Sequence, residues 1–219
     1  MEAGIGVRRR ILEAAAEVFA REGFAGARVE HIAKTAGVNK AGLYYHVGNK
    51  ARLFEEVMVE HFSEVAARME RAVASSEDPE RRLDALVRVL AEAFEERPAR
   101  ARIMLIELAR GGVIASETVM RQLARIFRCT STVVSSGVQR GVFAPENPFF
   151  VHMCLIGSLV LFILSGPQRE RAAAVGLGRE YGIDPMAPLA DMTAFLSGVL
   201  RRGMAASGAH NHGGGGHEG

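Results

Sequence analysis

The sequence predicts an all-α protein. Its 219 residues include no Trp and only 6% aromatic residues, and alternating runs of β-branched residues, which are typical of strands, are rare. Apolar side chains recur instead every three or four residues, the spacing that places them on one face of a helix. With 48% hydrophobic and 24% charged residues, the composition is that of a globular protein with a buried core.

Three helices are predicted in the first 50 residues, over about 7–23, 29–36 and 39–47. The first has one apolar face and is stopped by Gly23. Gly37 follows the second and can adopt the positive φ that a tight turn requires. Asn39 is a good N-cap for the third helix, because its side-chain oxygen can accept hydrogen bonds from backbone N–H groups of the first turn.

Longer helices are predicted to follow, over about 49–74, 79–96, 98–110, 116–140, 147–165 and 188–206. The stretch SSEDPE breaks the first of these, and the glycines at 111 and 112 predict a turn. No helix is predicted between about 165 and 188, and GLGREYG at 176–182 follows a helix and a loop rather than a strand, so it is no dinucleotide-binding motif. The Gly/His-rich tail, residues 207–219, has nothing large and apolar to pack, so we predict that it is disordered rather than a metal site.

Composition and motifs exclude several classes of protein. The chain has no Gly-rich phosphate loop after a strand, no cluster with metal-ligand spacing and no GxSxG sequence, so we expect neither catalysis nor a cofactor. The apolar stretch 149–165 is shorter than a membrane span, and the N-terminus lacks the apolar run of a signal peptide. We therefore expect a cytoplasmic protein in which Cys129 and Cys154 are small, buried hydrophobic residues and do not form a disulfide.

Residues 28–47 have the spacing of a helix-turn-helix, and all three lysines of the chain lie within or beside this segment. In such a motif the start of the second helix meets base edges, while cations and hydrogen-bond donors around it hold phosphates. The net charge of +2 identifies no partner, but this local gathering of lysines favours DNA. The residues predicted to contact DNA are Lys34, Asn39, Lys40, Ala41, Gly42, Tyr44, Tyr45, His46 and Lys50.

A helical hairpin with this spacing can also serve packing alone. The stretches ILEAAAEVFAREGFAG, IAKTAGVNKAGLYYHV and NKARLFEEV, however, resemble the first helix, the helix-turn-helix and the fourth-helix start of the TetR family of bacterial transcriptional regulators. The resemblance is specific over about 50 residues. Beyond them, ELARGG at 107–112 and PFFVHMCLIGSLVLFILSGP at 148–167 resemble stretches of family members in general plan.

The chain departs from the family pattern at three places. Arg28 and Val29 stand where the family usually has Thr or Ser at the start of the second helix, so an N-cap is missing and Arg28 is free to contact phosphate. Val47 replaces a usual Phe. Gly42 replaces Thr, Ser or Ala, at a cost of about 1 kcal/mol to the helix relative to Ala.

The resemblance implies a dimer on a palindromic DNA site, because two motifs double the phosphate contacts of one. The last two long helices are the natural interface, since 149–165 is too apolar to face water. The residues predicted at the interface are Leu155, Leu159, Phe162, Phe195 and Val199. For the α-helix at 149–165 the alternative is that these leucines belong to the core of a single chain.

The resemblance also implies a small-molecule pocket among the middle helices, although an ordinary core position is an alternative for each lining residue. The predicted lining residues are Met104, Leu108, Met120, Leu123, Phe127, Val134 and Phe162. The polar residues predicted to orient a ligand are Arg102, Glu107 and His152. Such apolar and Met-rich surroundings favour a hydrophobic effector.

Taken together, the sequence predicts a DNA-binding domain at 1–50 and a ligand-binding and dimerisation domain at 51–206. We expect a homodimeric repressor that a small hydrophobic effector releases from DNA. The alternative is a helix-turn-helix factor that activates transcription or answers to a protein partner without a small ligand.

Overall fold

The computed structural model describes residues 2–111 and 116–206. These residues form eleven helices and no strand, apart from one isolated bridge between Phe143 and Ala205, so the all-α prediction is confirmed. The predicted tail at 207–219 and the second glycine of the predicted turn at 111–112 lie outside the described residues. The helices are α1 (Glu2–Gly26), α2 (Val29–Ala36), α3 (Lys40–Val47), α4 (Lys50–Ala74), α5 (Pro79–Glu96), α6 (Pro98–Ala109), α7 (Glu117–Gln139), α8 (Pro148–Leu164), α9 (Gly166–Ala174), α10 (Leu177–Tyr181) and α11 (Leu189–Met204).

Helices α1, α2, α3 and the start of α4 form the N-terminal head. Its core includes Phe19, whose ring meets Phe54 edge-on with 5.0 Å between centroids. Phe24 packs on the same Phe54 ring at 5.0 Å. Gly23 is not helical, with φ 69° and ψ 173°, so it interrupts α1 and separates the end of that helix from the part before it. The sequence-based prediction of a break at Gly23 is therefore confirmed.

The body is built on α4, which runs out of the head for 25 residues and packs along α7 and α5. Helices α5, α7, α8 and α11 surround the rest of the core, and α6 packs on α1 as well as on α8 and α5. The amide of Ala144 donates to the carbonyl of Met204 at 2.7 Å, which fastens the α7–α8 loop to the end of α11. Head and body thus share α4 and meet again where α6 reaches α1.

The segment before α11, where the sequence predicts no helix, contains α9 and α10. Neither helix has a buried residue, so neither carries the apolar stripe by which a helix is found in sequence. Arg169 holds the segment: its Nη1 donates to the carbonyl of Pro185 at 3.0 Å, and its guanidinium lies 3.9 Å from the ring centroid of Phe162.

Within the described ranges, no single helix has both the length and the apolar character needed to cross a membrane. Helices α8 and α9 meet that test only when they are joined across a 52° bend.

Candidate nucleic-acid interface and ligand domain

Helices α2 and α3 form the predicted helix-turn-helix. Gly37 ends α2 in the left-handed region with φ 66° and ψ 36°, as the turn requires. The Asn39 side chain accepts a hydrogen bond from the Gly42 amide at 2.7 Å, which confirms it as the N-cap of α3. A Cβ atom on Gly42 would lie 3.1 Å from Asn39 Oδ1, so the glycine gives this cap room. No side chain caps α2, because Arg28 stands at that position.

The motif is fixed from inside by Ile32, Leu43 and Val47, which are buried. None of the ten residues predicted to contact DNA is buried. Gly42, His46 and Lys50 are half-buried and the other seven are exposed, with Tyr45 the most open large side chain at 86%. The packing therefore leaves the predicted contact residues accessible to a partner.

The three lysines have different surroundings. Lys40 Nζ lies 2.5 Å from Glu30 Oε1, and this hydrogen-bonded pair raises the pKa of Lys40 and lowers that of Glu30. Lys50 Nζ donates to the carbonyl of Ala25 at 3.3 Å and lies over the ring of Phe24. Lys34 is exposed and has no ion pair among the residues that the structure describes.

Side chains from two sides make contacts with the end of α1. On one side Lys50 of α4 holds the carbonyl of Ala25. On the other, Glu107 of α6 and Arg110, the residue after α6, reach it: the Phe24 amide donates to Glu107 Oε1 at 3.1 Å, and Arg110 Nη1 donates to the carbonyl of Glu22 at 3.4 Å. We call these three contacts the α1 clasp. The contacts of Glu107 and Arg110 tie the head to the body, and the contact of Lys50 lies within the head.

Glu107 corrects the prediction that it orients a ligand. Its side chain is buried and serves as the acceptor for a backbone amide 83 residues away, so it is already occupied by the fold. Sequence reasoning missed the clasp because its partners are so distant along the chain. The one local signal was Gly23, which ends the regular part of α1.

The other predicted ligand residues do not gather around one cavity. Arg102, Leu108 and Met120 are exposed, which corrects their placement in an enclosed pocket. Met104, Leu123, Phe127, His152 and Phe162 are half-buried, and Val134 is buried in the core.

His152 has a partner within the body. Its Nδ1 lies 3.1 Å from Thr130 Oγ1, its ring meets Phe127 edge-on, and burial lowers its pKa.

The described residues form surface cavities, of which two are prominent. One, of about 340 Å³, lies between α1, α4 and the start of α7; the other, of about 480 Å³, lies beside the α7–α8 loop. The first is lined by Arg8, Leu12, Arg52, Glu55, Glu56, Val59, Glu60 and Thr118. The second is lined by Val134, Ser135, Val138, Gln139, Pro145, Glu146 and Pro148.

A polar cluster that the sequence did not reveal lies between α4 and the start of α6. Arg100 Nη2 is 3.2 Å from Glu60 Oε2, and Arg97 Nη1 is 2.8 Å from Glu64 Oε2. His61 lies between these two pairs along α4 and is 2% exposed. Burial, together with Arg100 and Arg97, lowers the pKa of His61 to about 3, so its ring is neutral near pH 7.

The predicted interface residues divide into two groups. Leu155 and Leu159 are fully buried within the single chain, so placing them at a dimer interface is wrong: their side chains complete the core. Phe195 and Val199 of α11 are exposed, and Phe162 is half-buried beneath Arg169. The exposed apolar residues of α8 are others on the same helix: Phe149, Phe150, Met153 and Leu161.

Both cysteines are free, but the prediction that both are buried is confirmed for Cys129 only and is wrong for Cys154. Cys129 is buried, which raises the pKa of its thiol to about 11, and Cys154 is exposed on α8.

Comparison with protein families gives two matches along the chain. Residues 11–57 match the bacterial regulatory proteins of the TetR family, and residues 76–162 match the tetracycline repressor-like C-terminal domain. The chain is 29% identical over 204 residues to the transcriptional repressor NicS of Pseudomonas putida, covering 90% of this chain and 92% of NicS.

Solved structures share the fold. The regulator FadR of Bacillus subtilis, solved with stearoyl-CoA, superposes with a TM-score of 0.69 at 17% identity over 90% of this chain and 98% of FadR. AibR, solved with isovaleryl coenzyme A and operator DNA, gives 0.66 at 20% identity over 88% of this chain and 97% of AibR. With both parts matched in order, the chain belongs to the TetR family of bacterial transcriptional regulators and is not an enzyme.

Proposed function

We propose that this chain is a repressor that binds a palindromic operator as a homodimer and leaves it when a small, largely hydrophobic effector binds the body. The α1 clasp carries this proposal, because it joins an accessible helix-turn-helix to a helix of the effector domain through named hydrogen bonds. A protein with this role acts on chromosomal DNA, in the cytoplasm of a bacterium.

The DNA-binding part of the proposal places the start of α3 in the major groove. Ala41 and Gly42 are small, so backbone and Cβ atoms can approach base edges and thymine methyl groups closely. Tyr44 and Tyr45 are exposed beyond them and supply hydroxyl donors for phosphates. Lys40 can exchange Glu30 for a phosphate, since both side chains of that pair are exposed.

The part of the proposal that concerns the dimer rests on apolar surface that is exposed to solvent in a single chain. Phe150, Met153 and Leu161 are exposed on α8, at helical spacing on either side of Gly157. Phe195 is exposed on α11, which packs against α8. A contiguous exposed apolar surface of this kind marks a protein interface. Pairing two such α8–α11 faces makes a four-helix contact and presents two α3 helices to one DNA duplex.

The part of the proposal that concerns the effector rests on the contacts that connect the body to the head. FadR and AibR were each solved with an acyl coenzyme A, and AibR also with operator DNA. In this chain, a ligand that displaces α6 also displaces Glu107 and Arg110, which hold the end of α1. The ligand then favours a dimer whose two α3 helices no longer match successive turns of DNA, about 34 Å apart.

Selection of bound sequences from a random double-stranded DNA library at about 0.15 M salt tests the function directly. We expect recovery of a palindrome whose half-sites lie about one helical turn apart. If no sequence is enriched by the ligand-free dimer, the proposed operator binding is wrong.

Lys34 and Lys50 should differ in their effect on salt dependence. We expect Lys34→Gln to reduce the slope of log affinity against log salt by about one, because it removes one phosphate contact. Lys50→Gln should reduce the slope by less, since its half-buried ammonium also bonds the carbonyl of Ala25 and lies over the ring of Phe24. Fluorescence anisotropy on the selected operator measures both slopes. Equal slopes for the two variants would contradict this division.

Glu107 gives a matched pair of variants for the clasp. Glu107→Leu leaves the partly buried Phe24 amide without an acceptor, which costs about 1–3 kcal/mol. We expect a loss of operator affinity of about tenfold, the equivalent of 1.4 kcal/mol. Glu107→Gln keeps an acceptor oxygen and should bind nearly as the wild type does. Hydrogen exchange at Phe24 should be faster in the first variant only, and similar exchange in both would remove this contact from the coupling.

The alternative is a factor that activates transcription or answers to a protein partner. Placement of the selected palindrome relative to promoters separates activation from repression. A body that binds no small molecule while operator binding persists would favour the protein partner.

A further inference from the structure

We propose that Arg100, with His61 and Arg97 beside it, receives a carboxylate or phosphate group of the effector where its side chain meets α4. This inference rests on the proposed function and makes it more specific: the effector is an anion with an apolar body.

The first observation is that Arg100 is buried without enough acceptors. The residue is 7% exposed, and the only carboxylate that it meets within the described residues is Glu60, at 3.2 Å. Its Nε is buried and has no hydrogen-bond partner. A buried guanidinium N–H is costly to leave unpaired, and planar guanidinium groups bind carboxylates and phosphates through two parallel hydrogen bonds.

The second observation is that two arginines and a neutral imidazole lie together between the helices. Arg100 and Arg97 pair with Glu60 and Glu64 beside the buried His61. Burial, with Arg100 and Arg97 adding to it, lowers the pKa of His61 to about 3, so the ring is neutral near pH 7. A neutral imidazole also carries one N–H, which can donate to an anion without a change of charge.

The third observation is how α6 meets its neighbours. It packs on α1, α8 and α5, whereas it reaches α4 through the long side chains of Arg97 and Arg100. An anion that takes the place of Glu60 on Arg100 would meet these side chains rather than a closely packed pair of helices. Glu60 also lines the cavity of about 340 Å³ beside α1, so it can turn toward that opening when it is released.

The site also lies on the helix that carries the clasp. Arg100 and Glu107 are about two helical turns apart on α6, so both lie on nearly the same side of that helix. An anion that draws Arg100 out of its pair with Glu60 shifts α6, and Glu107 shifts with it. The effector's charged group thereby acts on the end of α1.

The test compares anions with neutral molecules of the same shape. Butyrate, octanoate and dodecanoate, the matching primary amides and the matching alkyl phosphates are titrated into the full-length dimer by isothermal calorimetry. We expect at least one carboxylate or phosphate to bind about tenfold or more tightly than its amide, the size expected for charge-assisted hydrogen bonds. Tighter binding of the phosphates than of the carboxylates, or the reverse, identifies which of the two groups the effector carries.

Three variants assign the effect to Arg100. Arg100→Gln should lose the preference for the anion, and Arg100→Lys should keep part of it. The control is Arg68→Gln. Arg68 is a half-buried arginine of α4 that pairs with Glu92 and Glu96, so this variant loses a comparable ion pair elsewhere and should retain the full preference for the anion. Circular dichroism establishes that each variant is folded.

Two results would overturn the inference: an anion preference that persists in Arg100→Gln, or no anion that binds the wild type better than its amide. Operator binding is measured on the same ligand-free samples. Specific DNA binding without anion binding would contradict the proposed anion site but not the proposed repressor function. Absence of operator binding would contradict the proposed function, whatever the calorimetry shows.

Discussion

Leu161→Glu is expected to convert the dimer into folded monomers and to weaken operator binding by about 10²- to 10⁴-fold, the factor that a second linked site contributes. Leu161 is 61% exposed on α8 in the single chain, so a carboxylate there remains hydrated in the monomer. In the proposed dimer two such carboxylates are buried without partners, which opposes association.

The matched control is two residues away on the same helix. Leu159 is fully buried, so Leu159→Ala should cost about 2–5 kcal/mol of folding free energy while the folded fraction stays dimeric. Sedimentation equilibrium gives the mass of each variant and thermal unfolding gives its stability. A mass of two chains for Leu161→Glu would exclude this face of α8 from the interface.

Stability should fall steeply with acidity because of His61. The pKa of His61 is about 3 in the folded chain and 6.5 in its ordinary state, so below pH 6.5 the unfolded chain takes up a proton that the folded chain refuses. The full stability is therefore present above pH 6.5. Between pH 6.5 and pH 5 the loss should be about 2 kcal/mol, and it continues until the pH approaches 3.

Urea unfolding of the ligand-free protein at several pH values measures this loss. His61→Leu should remove most of the dependence in that window, with a smaller remainder from His152, whose pKa burial also lowers. The head residue His46 is half-buried, and His46→Gln serves as the control that should retain the wild-type dependence. A wild-type pH dependence that survives in His61→Leu would show that another group is responsible.

The helix-turn-helix was predictable from sequence because its determinants are local. Gly37, the Asn39 cap and the buried Ile32 and Leu43 all act within a few residues of one another. Helices with an apolar stripe were found for the same reason. Helices α9 and α10 were missed because they have no buried side and therefore no stripe.

The sites of the body were less predictable because they depend on contacts between distant segments. Helix α8 is apolar on nearly every side, so its sequence could not show that Leu159 faces the core and Leu161 the solvent. Arg100 appeared as one arginine among many until its burial against α4 was visible. Glu107 was predicted to orient a ligand, and in the structure it accepts a hydrogen bond from a backbone amide of the head.

The clasp also sets an order of events during synthesis. Phe24 and Glu107 are 83 residues apart, and translation at about 5–20 residues per second separates their appearance by about 4 to 17 seconds. In that interval the helices of the head have been made, while the end of the first helix still lacks Glu107 and Arg110. A nascent chain therefore forms the contacts of Glu107 and Arg110 with the end of the first helix only after the sixth helix has left the ribosome, and an unfinished product has its head joined to the body through α4 without them.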